Sequence, residues 1–221
     1  MTREQAQERI LEIGIIPVVR ASSPTLALRA AEAVCAGGIP IVEITMTVPG
    51  AVDVIAALAR SMGHDILIGA GTVCDADTAQ RCMDAGAQFV VGPGFDAETV
   101  KLVRSKDVLV IPGALTPTEI IAARKAGADM VKIFPCGAVG GAKYITALRG
   151  PFPDVPMVPT GGVSLQTAAD FIRAGAVALG VGGELVSGSA LKSGVTAGIT
   201  EAARRFVAVV RDARQQLTAN T

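Results

Sequence analysis

Lys132 stands inside the apolar run DMVKIFP (129–135), and Glu43 stands inside GGIPIVEITMT (37–47). Ionised side chains are almost never fully buried unless they are paired or neutralised, so both residues need a reason to be there. Two readings of the lysine stay open on pattern alone. In the first, Lys132 and Glu43 reach each other from different strands and form a structural ion pair in a partly dry site. In the second, the lysine amine attacks a carbonyl to form a Schiff base, while a carboxylate moves protons as the imine is made and broken. An attacking amine must be neutral, and a free lysine of ordinary pKa is only about 0.04% neutral at pH 7. Desolvation and a nearby cation such as Arg20 favour the neutral form, and a close carboxylate opposes it. Glu43 can also be read as a strand-end carboxylate facing solvent.

The rest of the chain has few other parts for chemistry. His64 is the single histidine and follows a helix in ARSMGHDIL, where it reads as a surface turn residue. Triads and histidine-based metal sites therefore have almost no material. Cys35, Cys74, Cys82 and Cys136 contain no C-x-x-C pair and read as reduced structural thiols, so no metal is expected. Lys plus Arg and Asp plus Glu balance at 20 each, and no basic run marks a nucleic-acid surface. No apolar stretch is long enough for a membrane span, and MTREQAQERI reads as a polar helix start, so a soluble, cytoplasmic protein is expected.

The elements that must position Lys132 and Glu43 follow from a repeated local grammar. VCAGGIPIVEIT, MDAGAQFVVGPG, RKAGADMVKIFP and IRAGAVALGVGG each end a helical run in Ala-Gly and continue into a short apolar strand. Gly37, Gly86, Gly127 and Gly175 are the expected left-handed residues that end these helices. They recur at intervals of 49, 41 and 48 residues, and each interval holds one more strand: 66–71, 108–113 and 155–162. With IIPVVR (15–20) in front, the count is eight. Apolar strands alternating with helices imply parallel pairing with both faces covered. The expected fold is therefore α/β, a single (β/α)8 TIM-barrel domain over 1–221, with a leading helix at 2–12 and a final one at 196–217.

Barrel active sites form at the C-terminal ends of the strands. Position alone thus selects Arg20, Glu43, Gly71-Thr72, Pro93, Pro112-Gly113, Lys132, Thr160-Gly161-Gly162 and Gly182-Gly183. The two diglycines each follow a strand and precede a helix, where backbone N–H groups can face an anion. Loops after strands seven and eight are a frequent phosphate site in barrels. A phosphosugar isomerase or epimerase, and a non-catalytic barrel that binds a phosphorylated metabolite, are the alternatives to Schiff-base chemistry that this pattern admits.

Taken in order, IPVVR, GGIPIVEITMTVPGA, IGAGTV, GAQFVVGPG, IPGALTPTE, VKIFP, GPFPDVPMVPTGGV and GVGG resemble the class I 2-keto-3-deoxy-6-phosphogluconate (KDPG) aldolases and their 4-hydroxy-2-oxoglutarate (KHG) aldolase relatives. The resemblance implies a pyruvate-dependent lyase, usually a homotrimer, that acts on a small keto acid without metal or organic cofactor. It implies Lys132 as the Schiff-base residue and Glu43 as the acid/base acting through water. Thr72 and Thr160 would contact the pyruvate part, Pro93 and Phe134 would shape the pocket, and Gly161, Gly162, Gly182 and Gly183 would cradle a distal phosphate. Two departures stand out. Thr47 occupies a position where some members carry arginine, and Arg20 is the expected carboxylate-binding cation instead. Glu184 follows the last diglycine, where a small residue is common, and would repel a phosphate unless it turned away to cap a helix.

Overall fold

The fold, obtained as a computed structural model, describes residues 1–194 and 196–219. Val195, Asn220 and Thr221, which the expected domain includes, lie outside the described residues. The chain opens with α1 (Arg3–Ile13) and then alternates: β1 (Ile15–Val19), α2 (Pro24–Ala36), β2 (Ile41–Thr45), α3 (Ala51–Met62), β3 (Leu67–Gly71), α4 (Ala76–Asp84), β4 (Phe89–Val91) and α5 (Ala97–Ser105). There follow β5 (Leu109–Ile111), β6 (Gly113–Ala114), α6 (Pro117–Lys125), β7 (Val131–Ile133), a 3-10 turn (Cys136–Val139) and α7 (Ala142–Arg149). The chain ends in β8 (Met157–Pro159), α8 (Ala168–Arg173), β9 (Leu179–Val181), α9 (Gly188–Ser193) and α10 (Ala197–Ala219).

Helix starts follow local chemistry. Ser23 caps α2 ahead of Pro24, and Thr116 caps α6 ahead of Pro117; Asp75 and Asp96 accept from the third backbone N–H of α4 and α5. These side-chain oxygens satisfy donors that have no partner within the helix, and proline at the first position has no such donor to lose. Thr116 and Glu119 close a reciprocal capping box, and so do Thr2 and Gln5 on α1. At the other ends, Gly86, Gly127 and Gly175 adopt φ of +105°, +96° and +97° as expected. The fourth expectation was one residue off. Gly38 turns left-handed at φ +93°, whereas Gly37 continues at −86°. Gly37 is needed for a different reason: a Cβ there would stand 2.4 Å from Ala203 Cβ, where α10 closes against α2.

All strand pairings are parallel, and every strand residue is buried. Continuous burial accounts for the near-continuous Ile, Val and Leu of these segments, since helices cover one face and the curled interior the other. Two ladders result, ordered β5-β4-β3-β2-β1-β9 and β6-β7-β8. The sequence predicts eight strands, and the structure divides the fifth in two at Pro112. A proline has no N–H to give to a ladder, and the Pro112 carbonyl still accepts from Lys132 N at 2.9 Å. Thr160 bridges to Gly180, and Val177 N donates to Met157 O at 3.0 Å, so backbone contacts also join β8 to β9.

Away from the strands' C-terminal ends, Asp129 is an anchor. Its Oδ1 accepts from Arg3 at 2.6 Å and Arg104 at 2.7 Å, and its Oδ2 accepts from Val110 N at 2.9 Å. The carboxylate therefore pins α1 and α5 to the start of β7, and all its bonds are to cationic or backbone donors, which suits a buried charge.

Candidate active site

Lys132 is the middle residue of β7 and only 3% exposed; Glu43 is the middle residue of β2 and 2% exposed. Neither faces solvent, so the reading of Glu43 as a solvated strand end fails. No salt bridge joins the two among the described residues, so the ion-pair reading also fails. The Lys132 ammonium nitrogen instead lies 5.2 Å from the centre of the Phe134 ring, within cation–π range. Among the described residues, Glu43 Oε1 has no hydrogen-bond partner. An unpartnered buried polar atom costs free energy that evolution normally removes, so its presence here calls for a functional account.

Electrostatics tie Glu43 to its neighbours. Burial drives its carboxyl pKa above the ordinary value, and the positive charges of Lys132 and then Arg20 partly hold it down. A raised carboxyl keeps its proton closer to neutrality, which suits a group that both gives and takes protons. The space for that carboxylate is made by a glycine. A Cβ on Gly71 would fall 1.9 Å from Glu43 Oε1. Gly69, in the same IGAGTV motif, makes room for the Phe89 ring, from which a Cβ would be 2.2 Å. Thr72 follows immediately at φ +58°, an unusual conformation for a β-branched residue and one that concentrates at functional sites.

A cleft of about 220 Å³ adjoins this centre, lined among others by Arg20, Phe134, Thr160, Gly161, Gly162, Gly182 and Gly183. Seven of the eleven expected site residues thus share one cavity wall. Lys132 joins them through Phe134, and Glu43 through its charge coupling to Lys132 and Arg20. Thr72 and Pro93 do not line the cleft. Thr72 stands next to Gly71, and half-buried Pro93 packs against Gly113, where a Cβ would be 2.3 Å from the proline carbonyl.

The Lys132 loop and the first diglycine are sewn together by backbone. Cys136 N donates to Thr160 O and Gly137 N to Gly161 O, each at 2.9 Å, and Gly161 and Gly162 take φ of +85° and +77°. Phe134 meets Pro135 through a cis peptide bond. The Thr160 side chain is accommodated by Gly180, where a Cβ would be 2.1 Å from Thr160 Oγ1.

Glu184 is exposed and lines the cleft, and Ser187, not Glu184, caps α9. The expected escape of Glu184 into a capping role is therefore absent. Sequence reasoning missed Thr45, which is wholly buried. Its hydroxyl donates to Val19 O at 3.0 Å, and the Thr47 hydroxyl donates to Thr45 Oγ1 at 2.7 Å. This pair ties the end of β2 to the residue before Arg20. The signal was available: Thr45 is two residues from Glu43 and so shares its face of the strand.

Among the described residues, no group of three His, Cys, Asp or Glu side chains is arranged to hold a metal ion, and no helix is long and apolar enough to cross a membrane.

Comparison with known proteins agrees with this geometry. The model of the KDPG and KHG aldolase family matches residues 6–202. A 2-dehydro-3-deoxy-phosphogluconate aldolase of Treponema pallidum (strain Nichols) is 34% identical over 203 residues, covering 92% of this chain and 96% of that protein. A KDPG aldolase from Legionella pneumophila, whose crystal structure has pyruvate captured at low pH as a covalent carbinolamine intermediate, superposes with a TM-score of 0.84 at 30% identity, over 90% of this chain and 97% of that one. A cube-shaped, porous protein cage designed by fusing symmetric oligomeric domains superposes with a TM-score of 0.87 at 31% identity, over 95% of this chain and 76% of that one. The chain belongs to the KDPG and KHG aldolase family.

Proposed function

We propose that this protein is a class I aldolase that cleaves a 2-keto-3-deoxy acid to pyruvate and an aldehyde. The single observation that carries the reading is a buried lysine and a buried, unpartnered carboxylate that are charge-coupled without forming an ion pair, beside a cleft at one end of a parallel sheet. In this reading the Lys132 amine attacks the C2 carbonyl, and the resulting carbinolamine loses water to give an iminium ion. Glu43, through water, takes the proton from the C4 hydroxyl. The C3–C4 bond breaks, its electrons flow into the iminium to make an enamine, and the aldehyde leaves. Protonation at C3 and hydrolysis then release pyruvate and restore the amine. KDPG gives glyceraldehyde 3-phosphate as the aldehyde, and 4-hydroxy-2-oxoglutarate gives glyoxylate.

Arg20, the cation that lines the cleft, is assigned the substrate carboxylate. Thr160 and Thr72 are assigned the pyruvate part, Phe134 and Pro93 the pocket wall, and Gly161, Gly162, Gly182 and Gly183 the distal end. No cofactor is required. We also read the two ladders as one closed (β/α)8 barrel domain, which the Thr160–Gly180 bridge and the Lys132–Pro112 hydrogen bond support. The family resemblance supports a homotrimer, which sedimentation equilibrium would test.

Incubation with pyruvate and borohydride tests the chemistry. The expected product is a reduced pyruvate adduct on the peptide containing Lys132. An unmodified Lys132 under conditions where a control class I aldolase reacts would overturn the proposal.

A further inference from the structure

Arg20, the cation assigned to the substrate carboxylate, is not held by any side chain. It is exposed and lines the cleft, and among the described residues its guanidinium enters no salt bridge and no hydrogen bond. A guanidinium meets a carboxylate with two parallel hydrogen bonds only from a narrow range of positions. For Arg20 that range is set by the backbone from which the side chain departs.

That backbone is braced from β2. The ladder between β1 and β2 ends at the pair Val19 and Ile44, and Arg20 leaves the sheet at the next residue. Beyond the last pair a side chain takes over, because the Thr45 hydroxyl donates to the Val19 carbonyl at 3.0 Å. A peptide unit is planar, so holding the Val19 carbonyl also holds the nitrogen and Cα of Arg20. A hydroxyl has a single proton to give, so in the 2.7 Å contact between the two threonines Thr47 is the donor. Thr45 is wholly buried and Thr47 is exposed. Apart from Glu43, the other residues of β2 are Ile41, Val42 and Ile44, so packing alone would be served by a valine at 45. The buried hydroxyl is retained with its proton and a lone pair both engaged, which makes it a fixed strut.

We infer, resting on the aldolase reading above, that Thr45 is a positioning residue for substrate binding. With Thr47 it fixes the peptide unit before Arg20, so that the guanidinium meets the carboxylate of the keto acid. It acts on the substrate through Arg20, which separates this role from packing.

The test is a double-mutant cycle on KM and kcat for KDPG cleavage. Thr45→Val, Thr45→Ser and Thr47→Val are each made in the wild-type protein and in Arg20→Gln. Valine keeps the shape of threonine and removes the hydroxyl, whereas serine keeps the hydroxyl. Thr45→Val should raise KM about tenfold and leave kcat within about twofold, and Thr45→Ser should return KM to within about twofold of wild type. Thr47→Val, at an exposed position, should raise KM about threefold. In Arg20→Gln neither valine variant should move KM by more than about twofold, because the cation they position is gone. A purely structural role for Thr45 would show the same effect in both backgrounds. The inference is overturned by an unchanged KM in Thr45→Val, by a loss that falls on kcat instead of KM, or by an equal rise with and without Arg20. If Thr45→Val does not fold, Thr47→Val decides by the same criteria. The parent reading fails separately. If pyruvate and borohydride leave wild-type Lys132 unmodified, the aldolase assignment falls and takes this inference with it. If Lys132 is modified and the cycle shows no coupling, only the role of Thr45 is lost.

Discussion

Replacing Gly71 by alanine tests whether the position of the Glu43 carboxylate, and not merely its presence, sets the rate. The added Cβ would lie 1.9 Å from Oε1, 2.5 Å from Cδ and 2.6 Å from Cγ. Those contacts fall about 1.5 Å short of ordinary van der Waals separation, and the 2%-exposed side chain has little room in which to retreat. Overpacking of this kind costs about 1–3 kcal/mol of stability, or a fall in Tm of about 2–12 °C for a domain of this size. A catalytic group displaced by about 1 Å costs roughly 100-fold in rate, equivalent to about 2.7 kcal/mol of barrier. Pyruvate release, followed through lactate dehydrogenase and NADH, should therefore show kcat lowered by about 100-fold. The Lys132 amine is untouched, so borohydride should still trap pyruvate on it at long incubation times. Gly69→Ala is the control, because its Cβ would strike the Phe89 ring, a core group, at 2.2 Å. That variant should lose stability with much less loss of kcat. The reasoning is refuted if Gly71→Ala lowers kcat no more than Gly69→Ala does once the two are compared at equal fraction folded.

Three further outcomes are expected. Glu43→Gln should be progressively more stable than wild type as pH rises. The native carboxyl holds its proton above the unfolded value of 4.5, so wild-type stability falls as pH climbs from there through the raised folded pKa. A Tm difference that stays constant from pH 4.5 to neutrality would contradict this. Asp129→Asn weakens two charge-assisted hydrogen bonds, from Arg3 and Arg104, and should cost about 1–3 kcal/mol by urea unfolding, with activity per folded molecule nearly preserved; a large loss of kcat at full folding would count against it. Native protein should present one fast-reacting thiol of its four to Ellman reagent. Cys74 is exposed, whereas burial pushes Cys35, Cys82 and Cys136 up to about 11, and two or more fast equivalents would be the contrary result.

Local chemistry was the part of this fold most open to reading. Ala-Gly at helix ends marked three of the four left-handed turns, and the fourth slipped only because Gly37 and Gly38 are consecutive, so composition could not say which of them carries the positive φ. The strand-end rule selected Lys132 and Glu43, which the structure places in the middle of β7 and β2 and buries, together with most of the cleft wall. It also chose Pro93 and Thr72, because a position at a strand end does not say which way a side chain points. The break at Pro112 was signalled by a proline inside VLVIPG, although whether such a proline interrupts pairing depends on which neighbour its missing donor would have faced. The relation between Lys132 and Glu43 was not legible at all. It depends on the curvature that brings β2 and β7 toward a common interior and on the space left by Gly71, and neither is a property of any one segment.

The anchoring carboxylate at Asp129 and the amine at Lys132 are three residues apart on one chain segment. One end of that segment ties α1 and α5 to the sheet, and the other carries the amine proposed to do the chemistry. A saturation library across 129–132, scored separately for cellular abundance and for turnover, should therefore split within a single segment. Variants at Asp129 would be lost from the abundance score, and variants at Lys132 would persist as folded, silent protein. For evolution this means that a new reaction could be tried at the amine without first endangering the fold.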